Sequence, residues 1–362
     1  MKKIITSESV NCGHPDKTCD IIADSFLDAA LSQDENAQMA VECAIKSDKL
    51  FIYGESTTSA KIDYEAIARK TLKEIGYENE FEITKEISIQ SPDISQAVKK
   101  HELMANDQGM VYGYASNETE EFMPLPIMIA HKLMRRYDEF RRETDCYFAD
   151  AKSQVSIEYE DDKPVAIKTV VVSVSHAENL ESETIFNDIK TNVVEPVLFN
   201  YSKYDMSDVN YIINPSGKFT IWGSFGDSGC VGRKIVVDTY GGVGRVGGGC
   251  FSSKNATKVD RSAAYYARFV AKNIVAHGLA DRCEIQASFA IGLAEPVSLA
   301  IETFGTNKVS EEEIYDFVNK NFNFRLQNII DELNLLKISY KQTACFGHFG
   351  NNEFPWEQIK NI

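Results

Sequence analysis

A helix, a β-hairpin and a second helix follow one another three times along the chain, and no other feature restricts the possible folds as much. Apolar residues at helical spacing mark 15–31. The alternating runs QMAVECAIK and KLFIYGES then flank the turn-like Ser47-Asp48, and a helix is predicted over about 63–75. The order returns with a helix at 124–142, the hairpin KSQVSIEYEDDKPVAIKTVVVSVS turning at Asp161-Asp162-Lys163-Pro164, and a helix at 182–198. It returns again with a helix at 258–277, the hairpin CEIQASFAIGLAEPVSLAIETF and a helix at 310–324. An amphipathic helix and a one-sided hairpin must each bury a face, so the expected class is α+β: three similar domains, each an antiparallel sheet covered by helices, related by pseudo-threefold symmetry. Approximate extents are 1–100, 101–221 and 222–362. The repeat is one of pattern, not of identity, and helices and hairpins also alternate in α+β proteins that contain no repeat.

Connectors at 76–123, 199–234 and 238–257 are longer than ordinary loops in compact domains, and long ordered loops are commonly functional. The 362 residues are 43% hydrophobic, enough for several cores. No stretch approaches the roughly 18 apolar residues of a membrane span, and the opening MKKIITSESV has lysines without an apolar segment behind them. A cytoplasmic location is expected. A net charge of −16 argues against nucleic-acid or anionic-membrane partners, which need many cations on one face. Eight cysteines without a CxxC pair, and without histidines at zinc spacing, read as reduced, mostly buried thiols.

The segment 238–260, DTYGGVGRVGGGCFSSKNATKVD, has six glycines within 240–249. Glycines let backbone N–H groups close on an anion. Gly242, Gly244 and Gly247 fit GxGxxG, but no acidic residue stands about 20 positions on at the end of a second strand, which excludes a dinucleotide site. GGCFSSK lacks the glycine before the lysine and the Ser/Thr after it, which excludes a Walker A loop. Arg233, Lys234, Lys254 and Lys258 flank the glycines, and four cations gathered in an acidic protein point to a phosphate-bearing ligand. Asp227 and Asp260 beside them suit Mg²⁺ shared with phosphates, although salt-bridge partners for the lysines would read the same. Near the N-terminus, Glu8 and Gly13-His14-Pro15-Asp16-Lys17 open a helix, either as an anion and metal site or as a simple helix start.

Taken together the motifs resemble methionine adenosyltransferases, the S-adenosylmethionine synthetase family, over nearly the whole chain, as a divergent bacterial-type member. TSESV, GHPDK, GEST, QSPDI, DQGMVYGYASNET, DAKSQV, INPSGKF, GDSG, GRKIVVDTYGG, KVDRSAAYYARFVAKNIV, LADRCEIQ and FGHFG stand in the family's order. The resemblance implies S-adenosylmethionine synthesis from ATP and L-methionine, followed by cleavage of tripolyphosphate to pyrophosphate and phosphate. It implies ATP contacts at His14, Asp150, Lys152, Lys218, Phe219, Asp227, Arg233, Lys234, Cys250 and Lys254, with Phe219 against adenine. Methionine contacts would be Glu55, Gln90, Asp227, Lys258 and Ile291. Asp16 and Asp260 would hold Mg²⁺, about two ions per site, and Glu42 K⁺. Residues 91–106 match a lid, with Asp107 just beyond. The resemblance further implies a homodimer with shared active sites, paired into a homotetramer, with Glu55 and the lid from one chain and the glycine loop from the other.

The thioether of methionine attacks C5′ of ATP without a general base, so the demand falls on charge leaving with the triphosphate. Preorganised cations would meet it: His14, Lys152, Arg233, Lys234, Lys254 and Mg²⁺. The chain departs from the usual family residues at Cys12, Ile21, Asn106, Val246, Cys250, Ser253 and Asn255. Ser253 stands where glycine is usual; its Cβ disfavours positive φ by roughly 1 kcal/mol, and its hydroxyl can serve as a donor in a loop that still binds triphosphate, held slightly differently, unless φ is negative there and either residue serves. Two rival functions are a weakly catalytic paralogue that regulates a partner enzyme, and an ATP-dependent ligase or kinase.

Overall fold

The computed structural model describes residues 2–89 and 103–362. In chain order its elements are β1 (Lys2–Val10), α1 (Pro15–Leu31), β2 (Gln38–Lys46), β3 (Lys49–Thr57), α2 (Tyr64–Ile75), β4 (Glu82–Ser88), β5 (Gly109–Ser116), α3 (Leu125–Arg142), β6 (Tyr147–Glu160) and β7 (Lys163–His176). There follow α4 (Ser182–Ile189), α5 (Glu195–Phe199), β8 (Asn210–Ile213), β9 (Gly229–Cys230), α6 (Val259–Ala276), β10 (Arg282–Phe289), β11 (Ser298–Glu302), α7 (Glu311–Asn321) and α8 (Leu326–Glu332). Each of the three predicted hairpins is present in its own sheet, in the orders β4-β3-β2-β9, β1-β6-β7-β8 and β11-β10-β5, the first two hairpins central and the third at an edge. The class is α+β, three sheets covered by helices.

Two of the sheets are not purely antiparallel, contrary to the expectation from sequence. β4 joins β3, and β8 joins β7, in parallel. The reason is connectivity: α2 in one case and α4–α5 in the other carry the chain back to the starting edge, the crossover that parallel pairing requires. Moreover, each sheet takes a strand from a distant segment, because β1 pairs with β6, β5 with β10 and β9 with β2. β4, β5, β8 and β9 fall in stretches that read from sequence as connectors.

Local chemistry explains the boundaries. The β6–β7 hairpin turns on Asp161 and Asp162, both with positive φ (47° and 63°), the geometry that matches strand twist in a two-residue turn. α2 is capped by Asp63, which accepts the Ala66 N–H at 3.0 Å, and ends at Gly76 with φ 122°. The helix predicted over 182–198 is interrupted by a π-turn at Lys190–Val194. Pro196 has no N–H to give to the carbonyl of Asn192, and that oxygen instead accepts Arg136 Nε at 2.9 Å.

The core divides into two clusters. One lies under β6 and β7 with α3, α4 and α5; the other joins α1 and α6 to the remaining two sheets. α6 is buried along almost its whole length, and Gly113 of β5 meets it so closely that a Cβ there would lie 2.0 Å from the Ala267 carbonyl carbon. Its charged residues are paired inside: Arg268 and Lys272 both reach Glu357 at 2.8 Å. Among the described residues no helix is long and apolar enough to cross a membrane.

Candidate active site

The N-terminus of α1 is pinned to β6. Gly13 and Asn11 donate backbone N–H groups to the carbonyls of Ala149 (3.1 Å) and Ala151 (2.9 Å), and a Cβ on Gly13 would lie 2.4 Å from the Ala149 carbonyl carbon. This contact sets His14 and Asp16 beside Asp150 and Lys152 of β6. Gly229 packs as closely on Pro15, where a Cβ would meet the carbonyl at 2.2 Å, and so brings in the segment 229–234. Asp16 Oδ1 accepts the Cys230 N–H at 2.9 Å and has Arg233 Nε at 3.4 Å; Oδ2 accepts from Lys234 Nζ at 2.6 Å. Burial alone would push the Asp16 carboxyl up, but Lys234 and the Cys230 N–H outweigh it and hold the group below its ordinary value. Asp150 accepts the Gly223 N–H at 2.9 Å, yet burial raises it to about 6.

His14 differs from its expected role. Its Nδ1 accepts the Asp16 N–H at 3.2 Å, and burial, followed by Lys234 and Lys152, lowers its pKa to about 4. At neutral pH the ring is therefore uncharged and presents Nε2–H as a donor, not as one of the cations.

A second group gathers at the N-terminus of α6. Lys254 Nζ donates to Asp260 Oδ2 at 2.6 Å, and Gly249 passes so close that a Cβ would lie 2.1 Å from the Asp260 Cγ. Burial and the neighbouring Lys254 lower the pKa of Lys258, while Glu55, Asp107 and Asp260 act in the opposite sense. Ile291, half exposed, lies in a loop whose neighbours Gly292 and Leu293 pair with Ala105, two residues before Asp107. Cys250 links the two groups: it is raised to about 11 by burial, and its Cβ would be 2.4 Å from a Cβ on Gly232. Glu42 stands on β2 opposite Tyr53, in the electrostatic reach of Cys250.

The structure thus assembles His14, Asp16, Asp150, Lys152, Asp227, Arg233 and Lys234 in one group, and Glu55, Lys254, Lys258 and Asp260 in another, with Ile291 on the loop that pairs with Ala105. Glu55 is on the same side of the chain as the glycine loop, since Ala40 pairs with Glu55 across one edge and with Lys254 across the other. The expected division of Glu55 and Lys254 between subunits is therefore corrected. Lys218 stands apart, exposed and 3.9 Å from Glu178. Phe219 is next to it, fixed by its N–H to His176 Nε2 at 3.1 Å. Gln90 and lid residues 91–102 lie outside the described residues. Among the described residues no three His, Cys, Asp or Glu side chains converge as a metal-binding group. Asp16, in the group with Asp150 and Asp227, and Asp260 are carboxylates beside cations, oxygen donors that suit Mg²⁺ completed by phosphate oxygens.

Several departures from the family pattern have structural uses. Asn106 Oδ1 accepts the Val259 N–H at the start of α6 (3.4 Å), and Asn255 Oδ1 accepts the Met39 N–H at 3.1 Å. Cys12 is buried against Arg141 at 3.3 Å and raised to about 12 by burial and Asp138. Ser253 takes φ +80°, so the strained geometry is real here; its hydroxyl is buried without a hydrogen-bond partner among the described residues, and its N–H is held by Asp24 Oδ1 at 3.0 Å. Sequence reasoning missed Asp20, Asp24 and Asp238, all buried charges of this region, which surround the already noted Lys17. The signal was present as aspartates every four residues in α1.

Models of the N-terminal, central and C-terminal domains of S-adenosylmethionine synthetase match residues 2–102, 102–219 and 221–358. The S-adenosylmethionine synthases of Clostridium tetani (strain Massachusetts / E88) and Clostridium botulinum (strain Alaska E43 / Type E3) are each 46% identical over 386 aligned positions, covering 100% of this chain and 98% of the relative. With all three domains matched in order and relatives aligned from end to end, the chain belongs to the S-adenosylmethionine synthetase family.

Proposed function

We propose that the protein makes S-adenosylmethionine by attack of the methionine sulfur on C5′ of ATP, and then hydrolyses the released tripolyphosphate to pyrophosphate and phosphate. Family membership makes it an enzyme, a methionine adenosyltransferase. The observation that carries the finer reading is the cluster at Asp16: a neutral His14 and two cations, Arg233 and Lys234, held on one buried carboxylate with Lys152 alongside.

The sulfur lone pair forms the new S–C5′ bond while the C5′–O bond breaks, and the electron pair leaves on the triphosphate oxygen. No proton is removed from the nucleophile, which accounts for a site without a base–nucleophile pair. His14 donates Nε2–H toward the developing oxyanion, and Lys152, Arg233 and Lys234 stabilise its charge. In the following step a water oxygen bonds to the terminal phosphorus as the bridging P–O bond breaks; pyrophosphate leaves with that electron pair, the water's protons pass to the product phosphates and solvent, and the same cations hold the product anions. Mg²⁺, held by Asp16 and Asp260 with about two ions per site, would supply charge neutralisation on the phosphates; K⁺ would be held by Glu42.

We infer that the two groups face each other across a homodimer, one subunit supplying His14 to Lys234 and the other Lys254, Lys258, Asp260 and Glu55, with dimers pairing into a tetramer. The location is read as cytoplasmic. The test is mass detection of products from ATP and methionine: S-adenosylmethionine with pyrophosphate and phosphate supports the reading, and ADP or AMP in their place overturns it.

A further inference from the structure

Helix α1 carries aspartates at four-residue spacing, Asp16, Asp20, Asp24 and Asp28, which line one face of the helix. Each accepts the backbone N–H of a distant loop. Asp16 takes Cys230 at 2.9 Å, Asp20 takes Gly232 at 2.9 Å, Asp24 takes Ser253 at 3.0 Å, and Asp28 takes Tyr340 at 2.7 Å and Lys341 at 3.1 Å. A buried row of carboxylates is costly unless neutralised and hydrogen-bonded. Here Lys17 pairs with Asp20 at 2.6 Å, and Arg261 forks onto both oxygens of Asp24 at 2.7 and 2.8 Å.

The loops held by Asp20 and Asp24 are the two that bear the site's cations. Gly232 precedes Arg233 and Lys234 directly, and Ser253 precedes Lys254 directly. Both positions are left-handed, with φ +76° at Gly232 and +80° at Ser253. For a serine that backbone is unfavourable and persists only where the surroundings impose it. The contact from Asp24 is such an imposition, since Arg261, which it also binds, donates to the Lys254 carbonyl at 3.1 Å.

We propose that Asp20 and Asp24 are positioning residues of adenosyl transfer: without touching substrate, they clamp the backbone before Arg233–Lys234 and before Lys254, so that one rigid helix fixes both cation-bearing loops that a chain supplies, one to each site of the dimer. This rests on the reading of those cations as the triphosphate site. Asp28 is the internal control, because the loop it holds carries none of them.

The experiment compares Asp20→Asn, Asp24→Asn and Asp28→Asn in the full-length enzyme, at a temperature where circular dichroism shows each folded. Asp24→Asn and Asp20→Asn should lower kcat/KM for ATP by roughly 10-fold to 100-fold, the scale of a misplaced catalytic group, and Asp28→Asn by less than about twofold. Adding Ser253→Gly to Asp24→Asn should restore a good part of the loss, because glycine occupies the left-handed region without being held there. A loss caused only by the unpaired Arg261 would not be restored by that change. Amide exchange at residues 250–256 should quicken in Asp24→Asn, whether or not turnover is measured. Equal effects of all three variants, or no rescue by Ser253→Gly, overturn the proposal. If Asp24→Asn does not fold, Asp20→Asn against Asp28→Asn decides it alone. A wild-type enzyme that makes no S-adenosylmethionine sinks the functional reading instead, a result distinct from either outcome.

Discussion

Lys234 Nζ lies 2.6 Å from Asp16 Oδ2, and the same ammonium is the strongest charged neighbour of His14. The pair therefore sets the protonation of the ring as well as the aim of the lysine. Replacing Lys234 by Met removes a positive charge that disfavours the imidazolium. The His14 pKa should rise above its value of about 4 toward the ordinary 6.5, read by NMR titration of the ring protons. Turnover should fall by about 10² or more. An unmoved His14 titration would mean that burial alone keeps the ring neutral.

The depressed His14 also predicts a pH profile. The folded pKa lies below the unfolded one, so the neutral ring costs nothing above pH 6.5, and its contribution to stability is lost as pH falls from 6.5 toward 4. Through the same window the ring stays an intact donor in the folded enzyme. The kcat profile should accordingly show no loss near pH 6.5 that His14→Ala abolishes, and His14→Ala should slow transfer by roughly 10² at every pH between 6 and 8. An acid limb near 6.5 that disappears in the variant would contradict a neutral His14.

Subunit sharing gains a sharper test from the position of Glu55. Because Glu55 and Lys254 belong to one group, inactive Glu55→Ala and Lys254→Ala chains each leave the same half-site damaged. Mixing them should restore nothing. Mixing Lys254→Ala with Arg233→Ala should recover part of the activity, since one of the two sites in such a mixed dimer is whole. Recovery is measured after subunit exchange has been verified by mass; its absence in the second mixture counts against a site built from two chains.

Gly229 offers a steric probe. A methyl group there would lie 2.2 Å from the Pro15 carbonyl, a distance only backbone movement can relieve. Gly229→Ala should shift Cys230 off Asp16 and cost 1–3 kcal/mol of stability, about what overpacking costs. It should also lower kcat/KM by about 10². Gly113→Ala, which meets the Ala267 backbone just as closely on the buried length of α6, should match the stability loss with little change in kcat/KM for the folded enzyme. Thermal unfolding and kinetics on both variants separate the two effects.

The three hairpins and their main helices were legible because apolar period and turn residues are local signals, as at Asp161-Asp162. β5 and β9 were not, because a strand that completes a distant sheet has its partner outside any sequence window: Gly109–Ser116 makes sense only beside Arg282–Phe289. The resemblance named Asp16, Lys234 and Lys254 together, but could not reveal which of them lie in one group, as Glu55 shows. The charge state of His14 was likewise hidden, since it depends on burial against β6 and on Lys234, more than 200 residues away.

Lys254 and Asp260 carry the last prediction. Their contact at 2.6 Å is held from behind by Gly249, where any side chain would collide with the Asp260 carboxylate, at 2.3 and 2.5 Å from its two oxygens. Lys254→Ala deletes a charge-assisted contact to the anion and also leaves Asp260 as an unpaired negative charge facing it, so both changes oppose binding of a polyphosphate. Hydrolysis of added tripolyphosphate should nearly cease. Gly249→Ala keeps both charges but pushes Asp260 off Lys254, and should weaken hydrolysis by an intermediate factor, roughly tenfold, since about 1.4 kcal/mol separates each tenfold step. Lys254→Met, which keeps most of the stem and removes the charge, should resemble Lys254→Ala. Hydrolysis near the wild-type rate in both Lys254 variants would place the polyphosphate site away from the glycine loop.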